Sequence, residues 1–270
     1  DQKSRMPREH FEWSFFTYPS VKKAVDAMYK ICQAEIGGNC SKWPTSYLNW
    51  YWAKSGEEYW ETWKSRYWQD NCSNMVAVCL WGFTSSKQVE YEKGVLEDII
   101  QETKGQKLPR EVHDRIVSRI ANCWIRTTYG PRVISRSGTF MVFSILVDSM
   151  DSDMGALKRS KEFIDKYSPP ILDCDYTDWI ASYEMGHMGY EEDMYPVEKT
   201  PEDLSVVLEG TIKEFQYDVK RRHEYNVGPA LGADYHKDAA PAFGYDRLLK
   251  GIKKSLDPKS VSCPPQPIPD

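Results

Sequence analysis

The sequence has no apolar run long enough to cross a bilayer as a helix. The two longest, Met75–Phe83 and Phe140–Val147, are about half of the ~18 residues such a span requires. A basic excess is missing too. With 35 Lys and Arg against 40 Asp and Glu, the net charge of −5 excludes a general nucleic-acid binder, though not a local basic patch. No P-loop, G-x-G-x-x-G, G-x-S-x-G or H-E-x-x-H motif occurs, so the common phosphate cradles and nucleophile signatures are absent from the sequence. Histidine is scarce, with five scattered residues. The seven cysteines fit neither zinc-ribbon nor thioredoxin-type spacing. No repeat of about 20–50 residues marks a solenoid.

Large rings are abundant. Seven of the ten tryptophans fall between Trp43 and Trp81, interleaved with Tyr47, Tyr51, Tyr59 and Tyr67. At helical spacing Trp52, Gly56, Trp60, Trp63 and Tyr67 share one face, opposite Lys54, Glu57, Glu58, Glu61 and Lys64, which predicts an amphipathic helix with a bulky stripe. Before it, Phe11, Trp13, Phe15, Phe16 and Tyr18 form an aromatic entry segment, and Ser20 caps a helix that ends at Gly37-Gly38. Helical periods recur over 87–103, from Pro109 onward, over 153–167 and over 175–188. Thr200-Pro201-Glu202-Asp203 reads as a helix start. Met75–Phe83 and Thr139–Met150 suit helix or strand equally.

These patterns predict an all-α fold, an irregular bundle of about eight to ten helices. The expected divisions are an arm at 1–19, a helical core domain at 20–168, a second helical subdomain at 169–256 beginning at Pro169-Pro170, and a Pro-rich tail at 257–270.

Two sets of residues are candidates for contact with other molecules. Trp52, Trp60, Trp63, Tyr67, Phe11 and Trp13 are the aromatic interaction residues, since bulky rings dominate interface centres. Arg115, Arg119 and Arg126 form a helical stripe within a section holding six of the thirteen arginines, which suits an acidic partner or a lipid head group. The expected function is a non-catalytic structural subunit of a larger assembly, contacting other protein subunits, binding no nucleic acid, and needing no cofactor. An organelle, the mitochondrion first, is its expected location. The alternative is an all-helical enzyme holding a divalent metal through Glu184 and His187, which share a helical face, or through the acidic cluster Asp148, Asp151 and Asp153. A second alternative is a secreted binding protein with disulfides, suggested by the sequons Asn39-Cys40-Ser41 and Asn71-Cys72-Ser73. Cys32, Cys79 and Cys123, set in apolar runs, favour reduced thiols instead.

Overall fold

Met-Val-Ala-Val-Cys-Leu-Trp at 75–81 has β-branched and apolar residues at every position, which suits a strand buried on both faces. In the computed structural model of the chain it is the centre of one half of a seven-stranded sheet. The structure describes residues 10–121, 139–147, 150–171, 178–186, 188–197, 200–206, 208–210, 246–259 and 261. In chain order the strands are β1 (Phe11–Thr17), β2 (Asn39–Trp43), β3 (Met75–Trp81), β4 (Gln106–Lys107), β5 (Thr139–Val147), β6 (Asp178–Tyr183) and β7 (Met188–Val197). Their order across the sheet is β4-β1-β3-β2-β6-β7-β5, with every pairing antiparallel.

The all-α expectation is thereby corrected: the fold is helices packed on both faces of an antiparallel sheet. Both stretches that suited helix or strand equally are strands, and the segment expected as helix over 175–188 contributes β6 and a turn. The reason is packing. Side chains on alternating faces both meet helical layers, so no apolar/polar alternation is left in the sequence to announce the strands.

The aromatic stretch is likewise not one helix. It runs through β2, then α2 (Thr45–Trp52), α3 (Gly56–Lys64) and α4 (Tyr67–Cys72), into β3. Ala53 is extended, and Ser55 starts a new helix by accepting the Glu58 amide at 3.1 Å. Arg66, left-handed at φ 57°, separates α3 from α4. The remaining helices named here are α1 (Val21–Gln33), α5 (Ser86–Thr103), α6 (Arg110–Ile116, continued by a π turn at Val117–Ala121), α7 (Met150–Tyr167) and α8 (Asp246–Leu256). Ser20 caps α1 as expected, accepting the Lys23 amide, and Thr200 accepts the Asp203 amide ahead of the helical residues 201–206.

The two faces of the sheet differ. One packs against α1, α5 and α7 through Phe16, Val76, Val78, Leu80, Ile180 and Tyr195. The other, built from Trp13, Phe15, Trp43, Ala77, Cys79, Trp179 and Ala181, packs against α2, α3, α4 and α6. Among the described residues the halves β4-β1-β3-β2 and β6-β7-β5 are joined by two residue pairs of the ladder, Ser41 with Ala181 and Lys42 with Ile180. Lys42 is 1% exposed and its ammonium donates to the Asp178 carbonyl at 2.9 Å, extending the junction beyond the backbone ladder. On its face lie two further buried acids, Asp178 two residues along β6 and Glu191 opposite Ile180 on β7.

At the other side of the sheet, β4 pairs with β1 only at Phe16 and Thr17. Beyond that the Leu108 amide donates to the Phe15 carbonyl at 3.2 Å, and the His113 ring lies 3.0 Å from the Trp13 carbonyl. The second nitrogen of His113 meets Asp114 at 3.1 Å, a hydrogen bond that holds the Asp114 carboxyl below its usual range.

Lys42→Met leaves Asp178 and Glu191 in the core without this ammonium, and is expected to cost about 3 kcal/mol or more in urea unfolding. Neutralising both acids as well, with Asp178→Asn and Glu191→Gln, is expected to restore part of the loss. A second expectation concerns pH. Burial pushes the Cys72 and Cys79 thiols up to about 12, against ~8.5 in an unfolded chain. The folded state therefore keeps protons that the unfolded chain releases. The contribution is full below about pH 8.5, and each thiol then removes up to about 1.4 kcal/mol of stability per pH unit as pH rises. Unfolding midpoints measured across the alkaline range should fall accordingly, and Cys72→Ala with Cys79→Ala should flatten the slope.

Candidate functional site

On the aromatic face the antiparallel register lines up Phe15, Ala77, Ser41, Ala181 and Tyr190 across five neighbouring strands. The three central positions are small and buried, a floor that neighbouring rings cover. Large rings occupy the neighbouring positions: Trp13 and Trp43 beside Phe15 and Ser41, and Trp179 beside Ala181. Trp13 and Phe15 stack at 5.8 Å, and Trp43 meets Trp13 at 5.6 Å and Tyr47 of α2 at 5.7 Å. The Trp43 indole N–H donates to Ser41 Oγ at 2.7 Å, which fixes that ring over the floor. These spacings are those of offset and edge-to-face ring pairs, the arrangement the ring quadrupole favours.

Toward β7 this face acquires polar chemistry. The Tyr190 hydroxyl donates to Glu192 Oε1 at 3.1 Å, and Trp179 packs edge-to-face on Tyr190 at 5.4 Å. Both Tyr190 and Glu192 are half-buried, whereas Trp179 is buried. A ring wall, a phenol and a carboxylate side by side form an arrangement that can take a flat aromatic molecule, hold its hydroxyl and accept its proton. None of these three residues was a candidate from sequence. β7 reads Met-Gly-Tyr-Glu-Glu-Asp-Met-Tyr, with polar and apolar residues on both faces, so its period-2 signal cancels.

The residues singled out from sequence are placed as follows. Phe11 and Trp13 lie on β1, Trp13 within the aromatic face and Phe11 packed against it. Trp60 and Trp63 project from α3, each in ring contact with buried Tyr59, at 5.1 and 6.3 Å. Trp52 ends α2, Tyr67 begins α4, both meet Arg115, and Trp52 also meets Arg119. Arg126, Asp148 and His187 lie outside the described residues. Asp151 and Asp153 are in the first turn of α7, and Glu184 is in the turn between β6 and β7. Among the described residues no group of three or more His, Cys, Asp or Glu could hold a metal ion. Four cysteines, Cys32, Cys40, Cys72 and Cys79, carry free thiols, and no described helix is long and apolar enough to cross a membrane.

No family model matches the chain, and no curated protein matches it in sequence. Among solved structures the chain is similar to 4-ethylphenol oxidase from Gulosibacter chungangensis in its isoeugenol complex. There the TM-score is 0.62 at 12% identity, over 94% of this chain and 52% of that one. It is also similar to p-cresol methylhydroxylase with substrate bound, with a TM-score of 0.57 at 12% identity, over 93% of this chain and 51% of that one. An alkyldihydroxyacetonephosphate synthase gives a TM-score of 0.56 at 14% identity, over 93% of this chain and 44% of that one. At such identities the likeness is one of fold, and the chain spans about half the length of these enzymes. It corrects the expectation of a non-catalytic structural subunit, because the solved structures that share this fold are enzymes.

Proposed function

We propose that this chain is the substrate-facing half of an oxidoreductase that acts on a small phenol, with the aromatic face near Tyr190 and Glu192 receiving the ring. The observation that carries the reading is the likeness over more than nine-tenths of the chain to about half of an ethylphenol oxidase and of a cresol methylhydroxylase. A fold alone does not fix a function, as the synthase with the same architecture illustrates. The side chains add what the fold does not. Trp179 backs the Tyr190 ring edge-to-face, and Glu192 already accepts a phenolic O–H, that of Tyr190, in the geometry a substrate phenol would need.

In this arrangement the residues bind and move a proton. Glu192 takes the substrate's phenolic proton while Tyr190 hydrogen-bonds the oxygen left behind. The negative charge gained by that oxygen raises electron density at the para carbon, which eases departure of a hydride from the alkyl group attached there. Accepting that hydride is the chemistry a bound flavin-type cofactor supplies. The part proposed for this chain's described residues is the wall against the substrate, with Glu192 and Tyr190 at the phenolic oxygen.

The direct test is binding by the chain itself. A 4-alkylphenol is expected to quench tryptophan fluorescence saturably, and the matching 4-alkylanisole, which has no O–H to donate, to bind roughly tenfold more weakly. Glu192→Leu, which removes the acceptor, should erase that preference, and Trp179→Ala should weaken both ligands. Equal binding of phenol and anisole to the unaltered chain would refute the reading.

A further inference from the structure

The aromatic stretch and the arginine stripe, about fifty residues apart in sequence, meet at one place outside the phenol-binding region. The Arg115 guanidinium lies 4.1 Å from the ring centre of Trp52, 4.2 Å from that of Tyr67 and 5.5 Å from that of Trp68. One turn further on, Arg119 lies 5.0 Å from Trp52 and 4.0 Å from the Glu58 carboxylate. The rings hold one another edge-to-face, Trp52 with Trp68 at 6.0 Å and Tyr67 with Trp68 at 4.9 Å.

Ring faces attract the cation, but they do not satisfy hydrogen-bond donors lying in the ring planes. Four polar atoms at this place are buried and, among the described residues, have no hydrogen-bond partner: Arg115 Nε, the indole nitrogens of Trp52 and Trp68, and the Tyr67 hydroxyl. Trp68 is 0% exposed, so its N–H is shielded from bulk water. All four can donate, and three can only donate. Among the described residues no carboxylate pairs with Arg115. Buried donors left unmade are costly and rare, and a group of them around a cation calls for an acceptor that also carries negative charge.

The charge balance narrows the class. Arg115 contributes one positive charge without an acidic partner among the described residues, while Arg119 already has Glu58 within 4.0 Å. A singly charged anion is matched, and a doubly charged phosphate is not. The guanidinium is also confined between flat rings, which leaves its planar edge to meet a planar acceptor. We propose that this arginine–indole cage is a binding site for a monovalent carboxylate, separate from the phenol-binding region and independent of the reading given there.

The experiment titrates the full chain, carrying 15N-labelled tryptophan, with benzoate, acetate and inorganic phosphate at constant ionic strength. It follows the indole N–H resonances, with Trp52 and Trp68 assigned from Trp52→Phe and Trp68→Phe. Saturable downfield movement of these two resonances with either carboxylate, while the indoles outside the cage stay still, is the expected result. Arg115→Lys, which keeps the charge and loses the planar fork, should weaken binding roughly tenfold, and Arg115→Met should abolish it. Stationary Trp52 and Trp68 signals up to tens of millimolar carboxylate would overturn the proposal, whether or not the variants fold. So would an equal response in a folded Arg115→Met chain, or tighter binding of phosphate than of either carboxylate.

Discussion

The sheet depends on a junction two residues long. Among the described residues β2 and β6 pair through Ser41 with Ala181 and Lys42 with Ile180, and this contact makes one sheet of two halves. Short ladders supply few backbone hydrogen bonds, and a side chain adds one across the junction. On one face the Lys42 ammonium spans from β2 to the Asp178 carbonyl on β6; on the other, within β2, Ser41 anchors the Trp43 indole. A lysine is seldom buried without such a partner, because removing its charge from water is costly. Its position in the middle of a seven-stranded sheet is explained by what it joins.

The residues at the junction also shape the aromatic face. Ala77, Ser41 and Ala181 are small because rings lie over them. Larger side chains there would push Trp43 off the floor and open the contact with α2 that Tyr47 makes. The same constraint places Trp179 and Tyr190 at the margin, where the ring wall meets the half-buried Glu192. Core packing and the candidate site are thus one continuous surface, dry in the centre and polar toward β7.

Much of the helical part was legible in the sequence. Ser20 and Thr200 act as caps, and α1, α5 and the start of α6 fall where the 3.6-residue period puts them. The strands were hidden for a physical reason. Sandwiched between helical layers, β3 is apolar at every position, while β7 has acids on both faces, and neither pattern separates strand from helix. The aromatic stretch misled through its regular spacing: rings at helical intervals suggest one long helix, and only the backbone at Ala53 and Arg66 interrupts it. The arginine stripe was visible as a stripe. Its meeting with Trp52, Tyr67 and Trp68 depends on how α2 and α4 fold back toward α6, which no local pattern encodes.

The outer edge of β1 bears on how the molecule behaves among its own copies. A long strand with unpaired carbonyls is a template on which a neighbour's strand can grow, the first step toward fibrous association. Here a two-residue strand covers one end of β1, the Leu108 amide takes the Phe15 carbonyl, and an imidazole sits at the Trp13 carbonyl. His113 thereby occupies the place a foreign backbone would need, and a ring-rich sheet of this width is kept from recruiting another through that side.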